Sequence, residues 1–69
     1  MPLTMVKEGE ERLIRKISGK AEIKKFLESL GFVVGGTVTV INEIAGNVIV
    51  NVKNSRVAIS REMACRILV

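Results

Sequence analysis

Apolar and polar positions alternate most regularly near the middle of the chain. Val48, Val50 and Val52 share one parity, and Ile49, Asn51 and Lys53 share the other. That period of two predicts a half-buried strand. Thr37-Val38-Thr39-Val40-Ile41 alternates in the same way and predicts a second strand, with Ala45-Gly46-Asn47 supplying the turn between them. Asn54-Ser55 reads as a two-residue hairpin turn, after which Arg56-Val57-Ala58-Ile59 returns as the partner strand. Earlier in the chain, Thr4 to Gly9 reads as a short strand entering a turn, and Arg12 to Ile17 as a strand with imperfect alternation. Residues 1 to 3 are expected to be loose.

One segment breaks the period. Ile23, Phe26, Leu27 and Leu30 fall at i, i+3, i+4 and i+7, which makes one apolar helical stripe. Lys24, Lys25, Glu28 and Ser29 occupy the opposite face. The spacing predicts a helix from Lys20 to Leu30, capped by Ser18 or Gly19 and ended by Gly31, with the stripe packed into the core. Phe32-Val33-Val34-Gly35-Gly36 follows as a loop whose apolar residues tuck under the sheet. Ser60 is placed to cap a single helical turn, Arg61 to Ala64, with Glu62 near the positive end of its dipole. Arg66 to Val69 closes the chain as a short strand.

Several short strands, tight turns and one helix predict a mainly β single domain spanning residues 1–69. The expected form is a small SH3-like five-stranded barrel with one inserted α-helix, and the OB-fold is the alternative. With 69 residues, such a domain has a thin core. Its apolar share of 48% suffices for a globular interior, and the abundance of Val and Ile favours pleated sheet.

Charge adds an asymmetry to this picture. The net charge is +4, and residues 12 to 25 hold six cations, Arg12, Arg15, Lys16, Lys20, Lys24 and Lys25, against Glu22 alone. Such a segment attracts acidic partners and raises their encounter rate, although a basic run is often only a solvated face. Lys7-Glu8-Gly9-Glu10-Glu11 interrupts the N-terminal apolar residues where a signal peptide would need an unbroken run, and no stretch approaches the length of a membrane span. The single cysteine, Cys65, has no partner for an internal disulfide. These features point to a cytoplasmic chain that does not insert into a membrane.

The residues present also restrict the chemistry. The sequence contains no His, Asp, Trp or Tyr. Zinc, copper and ferrous sites draw on His, Cys and carboxylates in clusters, and Glu8, Glu10 and Glu11 read as a solvated acidic turn. Cys65 has no His to act as its base and reads as a small buried core residue. Gly35-Gly36 lacks the Lys-Ser/Thr of a phosphate loop. No catalytic, cofactor-binding or metal residue is therefore assigned, and an enzyme is not expected. With only two Phe, the chain has neither the aromatic groove that docks polyproline nor the stacking platforms of a single-strand nucleic-acid binder. A basic small-barrel nucleic-acid-binding protein relying on charge alone remains the alternative to a protein-binding module.

Pro2-Leu3-Thr4, the turn Lys7-Glu8-Gly9-Glu10, Ile17-Ser18-Gly19, Phe26-Leu27-Glu28-Ser29-Leu30-Gly31-Phe32, Gly35, Val57-Ala58-Ile59, Met63-Ala64 and Ile67-Leu68-Val69 stand in an order and spacing that resembles the FeoA family of ferrous iron transport accessory domains. The resemblance covers nearly the whole chain. It departs from the family at Glu8 and Val34, where Pro is frequent. It implies an SH3-like barrel and a cytoplasmic role beside FeoB, the membrane ferrous iron transporter, which this chain is expected to bind and modulate, and the lack of ligand residues argues that the chain does not itself carry iron. Monomer or weak dimer is the expected state. The candidate partner-binding residues are the basic set Arg15, Lys16, Lys24 and Lys25, and a competing apolar set, Phe32, Val33 and Val34.

Overall fold

A computed structural model describes all 69 residues. A single 3-10 turn, Leu3–Met5, is followed by β1 (Glu11–Leu13), β2 (Lys16–Ile17), α1 (Ala21–Ser29), β3 (Thr37–Ile44), β4 (Asn47–Val52), β5 (Ser55–Ser60), α2 (Arg61–Ala64) and β6 (Ile67–Leu68). Four strands form an antiparallel sheet in the order β1-β3-β4-β5, while β2 and β6 form a separate antiparallel pair. The chain is thus mainly β with an SH3-like arrangement. It has six strands rather than five, and the two sheets are not hydrogen-bonded into a closed barrel.

The long strands follow the alternation. Val48, Val50 and Val52 are buried, as are Val38 and Val40 on β3 and Ile59 on β5. Register shifts between Val40 and Asn42, a bulge that lets β3 run on to Ile44, three residues past the predicted end. Two tight hairpins join these strands. Ala45 and Gly46 both take positive φ, and so do Lys53 and Asn54. Both turns carry the type I′ signature that suits the strand twist. The second turn therefore sits one residue earlier than Asn54-Ser55, and Ser55 already pairs with Val52.

The predicted strand from Arg12 to Ile17 is divided. Ile14 bonds the β3 side, donating to the Gly36 carbonyl at 2.8 Å and accepting from the Gly35 amide at 2.9 Å. The next residue, Arg15, donates to the Leu68 carbonyl at 2.8 Å. One extended stretch thus serves both sheets, changing partner between adjacent residues. The N-terminal strand expected at Thr4–Gly9 is instead the 3-10 turn and a loop, because Leu3 and Val6 turn inward into the core. Residues 1 to 3 are held. Leu3 is fully buried, Pro2 bridges to Leu68, and the Met1 and Val69 backbones exchange hydrogen bonds of 2.9 and 2.8 Å.

Helix α1 matches its expected range within a residue at each end. Its N-cap is Lys20, with no side-chain capping bond, and the Ser18 hydroxyl donates to the Arg66 carbonyl at 3.3 Å instead. At the C-terminus, Gly31 donates to the Glu28 carbonyl and Phe32 to the Leu27 carbonyl, at 2.9 and 3.0 Å. This pair of bonds is a Schellman motif, and Gly31 takes the positive φ that it requires. The motif folds Phe32 back toward Leu27, and both side chains are fully buried. The stripe is narrower than its spacing suggests. Leu27 is the helix's one buried residue, Ile23 and Leu30 are partly buried against the core, and Phe26 is 49% exposed. Phe26 lies at the flank of the stripe, where a nine-residue helix over a small core cannot cover it.

Ser60 caps α2 as expected, accepting from the Met63 amide at 3.2 Å. Cys65, expected in the core, is exposed at the C-terminal cap of this turn. The inward position there belongs to Ala64, and a one-turn helix has room for only one such residue.

Candidate functional site

Arg15 leaves β1 and Lys16 opens β2, and both side chains are exposed. Lys24 and Lys25 are exposed on α1. The link of residues 18–20 keeps β2 and α1 adjacent in the chain. A side chain placed at Gly19 would meet Ile23 of α1 and the Arg66 stem at 3.6–3.7 Å, so the start of α1 packs beside β6. Arg66 therefore joins Lys20 and Lys16 on this side of the molecule. Sequence reading missed Arg66, since nothing local shows that the C-terminal strand returns to the first turn of the helix.

The chain makes two ion pairs, Arg12 with Glu10 at 2.7 Å and Arg61 with Glu43. Neither uses Arg15, Lys16, Lys24 or Lys25, so these four cations remain free to meet external anions. Being exposed, each would contribute little to stability even if paired. Their value lies in long-range attraction and in association rate.

The apolar set is divided by the fold. Phe32 is fully buried beneath the helix end and does not reach the surface. Val33 is half-buried, and Val34 is 64% exposed before the turn at Gly35. Only Val34, with part of Val33, can face a partner.

Two shallow depressions lie along β1. A polar one of about 390 Å³ is lined by Glu11, Thr37, Thr39, Asn51, Lys53 and Asn54 on the outer sheet face. The other, of about 480 Å³, is lined by Met1, Leu13 and Val69 together with Glu11, Arg12 and Arg15. The second brings apolar surface and an unpaired cation to the free edge of the sheet. Sequence reading did not find it, because Met1 and Val69 reach β1 only through the joining of the chain ends. No three His, Cys, Asp or Glu side chains gather in an arrangement able to hold a metal ion. No helix is long and apolar enough to cross a membrane.

Comparison with known proteins agrees with this architecture. The FeoA domain family model matches residues 1–69. A protein of Methanocaldococcus jannaschii named "Putative Fe(2+) transport protein A" is 38% identical over 68 residues, which is 99% of this chain and 83% of that protein. The crystal structure of an iron uptake regulatory protein (FeoA) superposes with a TM-score of 0.89 at 29% identity, covering 96% of this chain and 88% of the other. The solution structure of a FeoA protein from Chlorobium tepidum gives 0.89 at 21% identity, over 99% and 67% of the two chains. A manganese-dependent transcriptional repressor gives 0.85 at 20% identity, where this chain covers 97% of itself but 39% of the repressor. At that identity, the last two likenesses concern the fold.

Proposed function

This chain belongs to the FeoA family, and from that membership we propose that it is a non-catalytic accessory of ferrous iron transport, acting in the cytoplasm by binding the cytoplasmic part of a FeoB-type membrane transporter. The observation that carries the proposal is the set of free cations on β2 and α1, in a chain that gathers no donor cluster for iron. Such a surface has attraction for an acidic partner face, and no group of three donor side chains gathers beside it to hold the transported ion. Ferrous iron is the cargo of the system, and this domain acts on the protein that moves it.

The mechanism is one of docking. Exposed charges steer encounter and set its salt dependence, while the final affinity rests on short-range contacts that exclude water. The double change Lys24→Glu with Lys25→Glu alters two exposed helix positions, so stability shifts by no more than about 0.5 kcal/mol. The same change slows association with the transporter's cytoplasmic domain and flattens its dependence on ionic strength. Stopped-flow kinetics at two salt concentrations, run beside Val34→Ser, separate the two surfaces. Parent-like association by the charge variant, with slow association by Val34→Ser, assigns docking to the loop and removes the basic face.

Iron binding gives an independent check. Anaerobic calorimetric titration of the isolated domain with Fe(II) is expected to show no site tighter than about millimolar. A stoichiometric micromolar site would contradict the assignment of iron to the partner alone.

A further inference from the structure

Strand β1 is an edge strand, and half of its backbone bonding capacity is unused. In its register with β3, Glu11 stands opposite Thr39, Arg12 opposite Val38 and Leu13 opposite Thr37. The flanking bonds identify which residues face β3. Glu10 accepts from the Val40 amide at 3.3 Å, and Ile14 donates to Gly36 at 2.8 Å. Antiparallel ladders alternate, so Glu10, Arg12 and Ile14 point toward β3, and Glu11 and Leu13 point their N–H and C=O groups away from it. No turn or loop bond takes up the Glu11 or Leu13 groups. The next residue of that parity, Arg15, uses the same outer edge to bond Leu68. Strand β6 thus begins a ladder on this edge at Leu68, and among residues 1–69 nothing bonds the outer groups of Glu11 and Leu13.

We infer that this stretch accepts an added strand: an extended segment of another protein, bearing apolar and acidic side chains, that continues the β6 ladder along Glu11–Leu13. Strand addition of this kind takes affinity from main-chain bonds and selectivity from the side chains alongside. Here the groove of about 480 Å³ supplies both. Leu13 and Met1, each 49% exposed, offer apolar surface, and Arg15, which pairs with no carboxylate of this chain, offers charge to an incoming one.

A second copy of this chain is a poorer occupant. A two-fold pairing that uses both Glu11 and Leu13 sets Arg12 against its own copy, and a pairing centred on Glu11 sets two carboxylates together. Like charges directly opposite destabilise a strand pair. Centring on Leu13 brings Arg15 to the pairing edge, which β6 already occupies. A segment from a different chain is not bound by two-fold symmetry, so it can set an apolar residue opposite Glu11 and its carboxylates near Arg15, and an acidic one complements the net charge of +4. For the identity of the donor, the inference rests on the transporter-binding function proposed above.

Amide hydrogen exchange with two probes tests it: an eight-residue peptide of alternating Val and Glu, and the transporter's cytoplasmic domain. The Glu11 and Leu13 amides should exchange freely in the free protein and slow by about tenfold or more with either probe. A peptide of alternating Val and Lys should not slow them. Leu13→Pro removes an outward N–H and no bond to β3, so it should melt like the parent and bind about tenfold more weakly. Leu13→Ser keeps the N–H and the charge but loses the apolar contact, and a similar weakening is expected should Leu13→Pro disturb the fold. If the transporter domain binds without slowing these two amides, the strand site is wrong while the proposed function stands. If the peptide protects them and the transporter domain does not bind, the strand site stands and the proposed partner is wrong. Protection by neither probe overturns the inference.

Discussion

Phe32→Ala is expected to unfold most of the protein at 37 °C. Phe32 is fully buried and is the largest of the fully buried side chains. Truncating such a ring costs about 3–5 kcal/mol. At about 0.05–0.15 kcal/mol per residue, a chain of 69 residues has only about 3–10 kcal/mol to lose. The Schellman bonds raise the stake, since they hold Phe32 against Leu27 where α1 meets the sheet. Urea titration followed by circular dichroism measures the loss. Phe32→Leu, which keeps most of the volume, should recover the greater part of it and associate with the partner at the parent's rate. A stable Phe32→Ala protein with impaired binding would return Phe32 to the candidate surface.

The second large effect contrasts two neighbours on one helix. Leu27→Ala removes a fully buried side chain and should cost about 2–5 kcal/mol. In a domain of this size, each kcal/mol lowers the melting temperature by about 4–8 °C, so a fall of roughly 10 °C or more is expected. Phe26→Ala removes a larger side chain from an adjacent position, yet Phe26 is half-exposed and Ala favours the helix. Its cost should stay under about 1 kcal/mol. Thermal melts of the two variants side by side decide the matter. Equal losses would mean that the whole stripe, Phe26 included, packs against the core.

These two residues also show what was legible in the sequence. Helical spacing told that Leu27 and Phe26 share a stripe, but its width depends on the curvature and size of the facing sheet. The long strands were readable because each carries its own alternation, as in Val48, Val50 and Val52. The Ser60 cap was readable because its partner is three residues away. What escaped was set by distant partners. The chain changes sheets between Ile14 and Arg15 because Gly35, Gly36 and Leu68 present bonds there, and none of them is near in sequence. Lys53 at positive φ goes against its own preference, and the register of β4 and β5 imposes it. Residue type favours the core for Cys65, but the single turn of α2 points Ala64 inward and leaves Cys65 exposed.

The candidate surface divides in the same way. The basic residues were visible as a run in the chain, and the structure leaves them exposed and unpaired. Phe32 was drawn into the apolar set by adjacency to Val33 and Val34, and the helix cap separates it from them. The edge of β1 could not be seen at all, because an unused backbone bond leaves no trace in residue types.

The Met1 and Val69 backbones grip one another. Residues 1 and 69 of the domain are therefore neighbours in space. Joining the ends through a brief linker would make a cyclic miniprotein without displacing Leu3 or Ile67 from the interior. Cutting that ring at Lys53-Asn54, an exposed hairpin tip, would give a permutant with the same packing and a new start. The same closeness makes the domain suitable for splicing into a surface loop of a host protein, since it enters and leaves at one point. Inserted that way, it would present the edge of β1 beside the point of attachment.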